Sequence, residues 1–474
     1  MALTKVSYSL ITGAPINVLD KGADPTGMMD SSSAIQAAIN AGSTVLFPSG
    51  TYLLASPVTL ANNTRLIGQN ATLRKSSTMS AAMISATSVD NVIIANLSID
   101  GNYSIQATGV PTIEFTSVTN SKLYDLNCTD LGANVYVNSG AIKITDSENV
   151  AVQNCVIDNT WGMNTILIVG ASGDNCCVNN CTITNTISDS PIAVNSSINC
   201  KVINNYISFA PGSLISYNAN LGIISGNQLT ANSGLNFNGI TVGHPTGLYD
   251  ASFTIVTDNI ISQGDNGGYG IVVQNADRNI VANNYVFGGA LAGIVTGGTN
   301  TTIQSNTIVD TPIGISATSA ATQAIISSNN VSRFSTQGIT ISASSVISNN
   351  RLVSIIGSAQ GININAQRSA ITGNYINVPG VTVATPTSAA IDGATLYRSN
   401  IINDAPTSET ITLGASSTST ILANANIVAG GLIYLQPLDA NFASREVFIS
   451  SVAAGSAVLT YLTGSASSCR VVYL

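Results

Sequence analysis

Two aspartates and the chain's single tryptophan raise the question of chemistry: Asp158 and Trp161 in "IDNTWGMNT", and Asp189 in "ISDSP". Glycosidic hydrolysis uses two carboxyl groups, about 5 to 5.5 Å apart for retention of configuration and about 6.5 to 9.5 Å apart for inversion. An indole beside them offers a flat apolar surface to a sugar ring. Asp158 and Asp189 are therefore candidates for acid and base, with Trp161 as platform and Tyr136 as a further substrate-binding aromatic. The same aspartates also read as turn residues, since Asp bonds readily to its own backbone. A second candidate group lies in "GHPTGLYDASF", with His244, Tyr249 and Asp250, and in "GDNGGYG", with Asp265 and Tyr269. His244 and Asp250 leave the far end of a strand whose successor begins after Asp265, so the two halves are expected to stand apart. Glu114 is an alternative carboxylate. Alternation points it outward, and Lys143 takes the equivalent place one coil on, which predicts a surface salt bridge. The seven cysteines form no CxxC pair set and His244 is the only histidine, so neither a metal site nor a cofactor is expected.

Asp158 and Asp189 are far apart along the chain, so a repeat has to bring them together. Asparagine followed by a short apolar run recurs at Asn96, Asn127, Asn154, Asn180, Asn205, Asn227, Asn259, Asn284, Asn306, Asn329, Asn350, Asn374 and Asn400, at intervals of 21 to 32 residues. A second series interleaves with it: "AIKIT", "TILIV", "PIAVN", "GITVG", "GIVVQ", "GIVTG", "GISAT", "GITIS" and "GININ". Each coil thus carries at least two short strands joined by Gly, Ser and Asn turns. A period near 24 without helical patterning predicts a parallel β-helix. Rungs about 4.8 Å apart let asparagine amides bond from coil to coil, and twelve steps make a rod of roughly 58 Å. Cys128, Cys155 and Cys181 each follow a ladder asparagine and are expected to stack in the core.

"DSSSAIQAAINAG" predicts a helix with Asp30 as N-cap, an apolar face of Ile35, Ala38 and Ile39, and Gly42 closing it, suited to plug the first coil. Beyond about residue 404 the ladder stops, and "REVFISSVAAGSAVLTYL" alternates as strands of a separate β domain. The expected divisions are 1–90 for the N-terminal segment and cap, 91–404 for the β-helix, and 405–474 for a sandwich-like β domain. Composition narrows the functional classes. A net charge of −8 with 15 scattered Lys and Arg argues against nucleic acid. Mean hydropathy is +0.32, yet Asn, Ser and Gly interrupt every apolar run, so no membrane insertion is expected. The N-terminus is a poor secretory signal, which points to synthesis in a cytoplasm and release by another route, such as lysis.

"NVLDKGADPTGMMDSSSAIQAAINAG", "VLFPSGTYLL" and "TRLIGQNATL", over residues 17 to 73, closely resemble the start of the pectate-lyase-like β-helix of bacteriophage tailspikes and related polysaccharide-degrading enzymes. The resemblance implies an all-β protein: a right-handed, single-stranded parallel β-helix with a capping helix and a C-terminal antiparallel domain, forming a homotrimer, with 91–404 as the glycan-binding and catalytic body and 405–474 as the trimerisation domain. It implies a tailspike that binds and depolymerises a bacterial surface polysaccharide, located on the virion tail and joined to it directly or through an adaptor protein. Paired carboxylates favour hydrolysis. A polysaccharide lyase and a non-cleaving receptor-binding fibre are the alternatives, and calcium-dependent lyase chemistry is discounted because no Asp and Arg cluster stands out.

Overall fold

Aliphatic residues alternating with Ser, Thr and Asn, broken every few positions by residues that tolerate a left-handed backbone, wind the chain into stacked coils. The computed structural model describes residues 13–473 apart from 104–109, 133–138, 171–173, 209–211, 232–237, 245, 248–250, 265–267, 290, 357–358, 366–368, 379–382, 385–395, 399, 403–407, 414–417, 424–432, 438–446, 454–455 and 464–466, and the side chains of 188, 189, 383, 384, 396–398, 401, 402, 408–412, 420, 423, 433, 434, 436, 437 and 467–473. Tyr136, Tyr249, Asp250 and Asp265 lie outside the described residues, as does the side chain of Asp189.

The coils form two long parallel sheets. Sheet A has 30 strands, mostly two per coil, and sheet B has 14, one per coil. Sheet B is built on an inward column of isoleucines in register, Ile84, Ile113, Ile142, Ile166, Ile192, Ile215, Ile240, Ile271, Ile294, Ile315, Ile339 and Ile362. One β-branched side chain per rung packs against the same residue above and below, which suits a strand buried on its inner face.

Between the two strands of sheet A runs the asparagine ladder. Asn205, Asn227, Asn259, Asn284, Asn306, Asn329, Asn350, Asn374 and Asn400 each present Oδ1 to the preceding rung. Each Asn from 205 to 374 donates Nδ2 to the Oδ1 of the next at 2.9 to 3.0 Å. The four earlier asparagines are not in this column. Leu97, Leu126, Cys155 and Cys181 occupy it instead, one residue before the register partners Ser98, Asn127, Val156 and Thr182. Asn96, Asn154 and Asn180 sit one place earlier on the outside, at φ 54, 53 and 54, and Asn127 is an exposed strand residue. The motif merges two roles, because the bend takes asparagine both for its tolerance of the left-handed region and for its stacking amide. Cys155 and Cys181 do stack, whereas Cys128 lies in the next inward column with Ile99, Ile157 and Ile183.

A helix, Ser32–Ala41, caps the first coils with Ile35, Ala38 and Ile39 buried. Its N-cap is Ser31, without a side-chain cap bond. Asp30 does the equivalent work from one position upstream, accepting from Ser32 N and Ala55 N, both at 3.0 Å. Past the last coil strand, Ile401–Ile402, two three-stranded antiparallel sheets begin at Ser408 and enclose Leu413, Leu422, Ala457, Leu459 and Tyr461.

Candidate functional site

The distal strands of sheet A end in a column of polar residues. Arg74, Asp100, Thr129, Asp158 and Thr184 are register partners on five successive rungs. Arg74 Nε meets Asp100 Oδ2 at 2.7 Å. Asp158 Oδ1 accepts from Thr184 Oγ1 at 2.6 Å and Asn185 Nδ2 at 2.8 Å, while Oδ2 bonds to no described residue. The left-handed residues that follow, Asp130 and Asn159, are also joined, Asn159 Nδ2 donating to Asp130 Oδ1. Asp100, Asp130 and Asp158 therefore cluster over three rungs. Lys75, next to Arg74, is only 2% exposed, and burial pushes its ammonium down to about 8.

The aromatic part of the site depends on a glycine. Gly132 bridges in parallel register to Trp161, and a Cβ there would lie 2.2 Å from Tyr103 Cδ2. Without that atom, Tyr103 leans across the intervening coil onto Trp161. The rings stack with centroids 5.6 Å apart and planes at 20°, although two rungs separate backbones by about 9.6 Å. Trp161 stays 40% exposed, and Ile187, its partner on the following rung, is exposed as well. The result is an aromatic ledge beside the carboxylate column, large enough to carry sugar rings on their apolar faces.

Asp158 and Trp161 thus share one surface. Asp189 lies in the strand Ile187–Ile198, opposite the stretch between Gly162 and Asn164 of the previous coil, five residues past Asp158's partner Thr184. Anchoring of a carboxylate by Thr and Asn one coil on is not special to Asp158: Thr119 and Asn120 hold Asp90 in the same way, and Thr299 and Asn300 hold Asp277. Those bonds keep the Asp90 and Asp277 carboxyls below their ordinary pKa. What sets Asp158 apart is its company. Glu114 pairs with Lys143 at 3.4 Å, the expected surface salt bridge. His244 bonds through Nδ1 to Thr246 Oγ1 at 2.8 Å, and its register position corresponds to Asn275, which donates to His244 O. Tyr269 opens the strand that His244's neighbour Gln274 closes off, so the two are roughly 20 Å apart along the sheet.

Tyr103, Asp100, Asp130 and Arg74 were not anticipated. A signal existed, because Asn96 precedes Asp100 and Tyr103 by the same four and seven residues that separate Asn154 from Asp158 and Trp161. Coil stacking also assembles an Asp and Arg set that linear spacing conceals. Among the described residues, however, no three His, Cys, Asp or Glu side chains are grouped to hold a metal ion.

Residues 15–244 match the family "Rhamnogalacturonase A/epimerase, pectate lyase-like". Residues 237–401 match "Periplasmic copper-binding protein (NosD)". That segment contains His244 but no cysteine or methionine, a donor set that does not fit a copper site. No curated protein matches the sequence significantly. Among solved structures, a mutant tailspike protein of E. coli bacteriophage HK620 superposes with TM-score 0.56 at 13% identity, covering 99% of this chain and 96% of its own. PfbA, a surface adhesin of Streptococcus pneumoniae, gives 0.54 at 16%, covering 74% and 93%. The catalytic unit of a GH87 alpha-1,3-glucanase from Streptomyces thermodiastaticus gives 0.50 at 15%, covering 84% and 71%. At these identities the likeness is one of fold. The chain is a parallel β-helix whose residues 15–244 match the pectate-lyase-like rhamnogalacturonase A/epimerase family, and it shares its fold with a phage tailspike.

Proposed function

We propose that this protein is a phage tailspike that binds a bacterial surface polysaccharide across the Tyr103–Trp161 ledge and cleaves it by hydrolysis. The observation that carries the reading is the stacked ring pair beside Asp158. In this reading Asp158 and Asp189 are the acid and base, on adjacent coils and on either side of Trp161 in sequence. Asp158 is suited to its part because Oδ1 is tethered to Thr184 and Asn185 while Oδ2 is left to meet substrate. Asp100 and Asp130 border the same surface and would bond sugar hydroxyls. The chain acts as a homotrimer on the virion tail. The tailspike and glucanase folds support a glycan-active protein.

Asp158→Asn and Asp189→Asn, assayed on a polysaccharide that the wild type degrades, are expected to abolish new reducing ends while the β-sheet spectrum and glycan binding persist. Full activity in both variants refutes the assignment. A second reading, binding without cleavage, is favoured by the repetition of the Asp158 anchor at Asp90 and Asp277, which is what a structural turn bond would do. The adhesin shares the fold.

A further inference from the structure

The turns leading from sheet B into sheet A carry one left-handed residue per coil. In register these are Asn91, Asn120, Asn149, Asn175 and Asn199, then Leu221, Phe253 and Arg278, then Asn300 and Gln323. Asparagine suits that backbone, whereas a bulky apolar side chain is disfavoured. Among the non-glycine residues described with positive φ, only Leu221 and Phe253 are apolar. They stand on consecutive coils, 50% and 48% exposed. Local strain that serves no buried packing marks a surface selected for contact. Arg278 covers one side of the Phe253 ring, its guanidinium carbon 5.3 Å from the centroid. Phe253 also lines a groove of about 520 Å³ with Ile198, Leu221, Ile223 and Ile255, where Asp174 is the charged residue.

The groove is continuous with the outer face of sheet A. The column from Ile223 runs through Ile255, Ile280, Thr302, Ile325 and Val346 to Ala370 without a charge. Beside it Ile260 and Tyr285 are also exposed. Six steps give roughly 29 Å of length, and the seven residues from Phe253 to Ile260 give roughly 20 Å of width once the bend is allowed for. The projected area of the face, polar residues included, is about 600 Å², near the roughly 800 Å² of accessible surface that each partner of a stable complex buries.

We propose that this face seats a second copy of the chain, with Leu221 and Phe253 as its anchors. Aliphatic ridges repeating every rung require a partner of the same period. Another parallel β-helix supplies it; the central column is uncharged, and the exposed Asp258, Arg278 and Arg351 beside it call for polar partners around that centre. Aromatic and Arg side chains around an apolar centre are the usual makeup of such contacts. The inference rests on the self-association in the tailspike reading and names the surface responsible.

The test uses the full chain. Wild type is expected to sediment as a multiple of 48.4 kDa. Thr302→Cys, on the face, should react with a maleimide at least tenfold more slowly than Ser316→Cys, which points outward from sheet B. The double variant Leu221→Asn/Phe253→Asn restores the residue the backbone prefers, so the fold is retained; it should raise labelling of the Thr302→Cys position at least tenfold. A monomeric wild type would refute self-association itself. An assembled wild type with equal labelling at the two positions would place the interface elsewhere. Loss of glycan binding in the double variant with labelling unchanged would make the groove a ligand site and overturn the proposal.

Discussion

Asn284→Ala removes one member from the middle of the asparagine ladder, and its cost can be worked bond by bond. Asn284 is 1% exposed. Its Oδ1 accepts from Asn259 N at 3.1 Å and Asn259 Nδ2 at 2.9 Å, and its Nδ2 donates to Val256 O, Ala282 O and Asn306 Oδ1 at 2.9 to 3.0 Å. After truncation Asn306 Oδ1 still receives Asn284 N, and Asn259 Nδ2 keeps Ile224 O and Thr257 O. Asn259 N loses its acceptor. A buried orphaned donor costs about 1–3 kcal/mol and the four other lost bonds about 1 kcal/mol each, an upper sum of roughly 5–7 kcal/mol that relaxation of the bend brings to roughly 3–5 kcal/mol. Native-state hydrogen exchange followed by mass spectrometry reads this locally and needs no reversible unfolding. Peptides spanning 254–262 and 280–287 should exchange roughly a hundredfold to a few thousandfold faster, at about 1.4 kcal/mol per tenfold, while peptides near the capping helix stay unchanged. Protection unchanged around Asn259 would show that the amides stack without holding the coils, and the ladder account would fail.

Three further outcomes follow from the ledge and its surroundings. Gly132→Ala should push Tyr103 off Trp161, shifting the emission of the single tryptophan and weakening oligosaccharide binding at least tenfold; an unchanged spectrum and affinity would refute the stacking role. Trp161→Ala should abolish glycan binding in titration calorimetry without loss of β structure, and retained affinity would remove the platform. For Lys75, folding lowers the pKa from 10.5 to about 8, so between these values the unfolded chain binds more protons and stability rises with pH. The charged form costs about 3 kcal/mol below pH 8. Lys75→Met should raise the thermal midpoint at pH 7 and flatten its pH dependence between pH 8 and 10.5; an unaltered profile would refute that burial.

Periodicity alone exposes the fold, because a rung repeat forces like residues to recur at like places. The phase is less legible. At the bend between the strands of sheet A, "NN" at 204–205 has an outer asparagine at φ 57 and an inner one in the ladder. In "NC" at 154–155 and 180–181 only the outer role belongs to asparagine, and cysteine fills the inner one. Residue type cannot separate two positions that both accept asparagine. Asp158 and Trp161 stood out because they share a short loop. Tyr103 did not, since its partner lies 58 residues on and their contact needs the space left by Gly132. Asp100 and Arg74 come together only through register.

Incubation with a panel of purified capsular and lipopolysaccharide glycans, reading new reducing ends together with absorbance from unsaturated products, tests the central claim most directly. The account predicts reducing ends without that absorbance on at least one glycan, lost in Asp158→Asn. Absorbance from unsaturated ends would contradict hydrolysis and turn attention to Arg74 and Lys75 beside the carboxylates, and binding without either signal would make the protein a receptor-binding fibre.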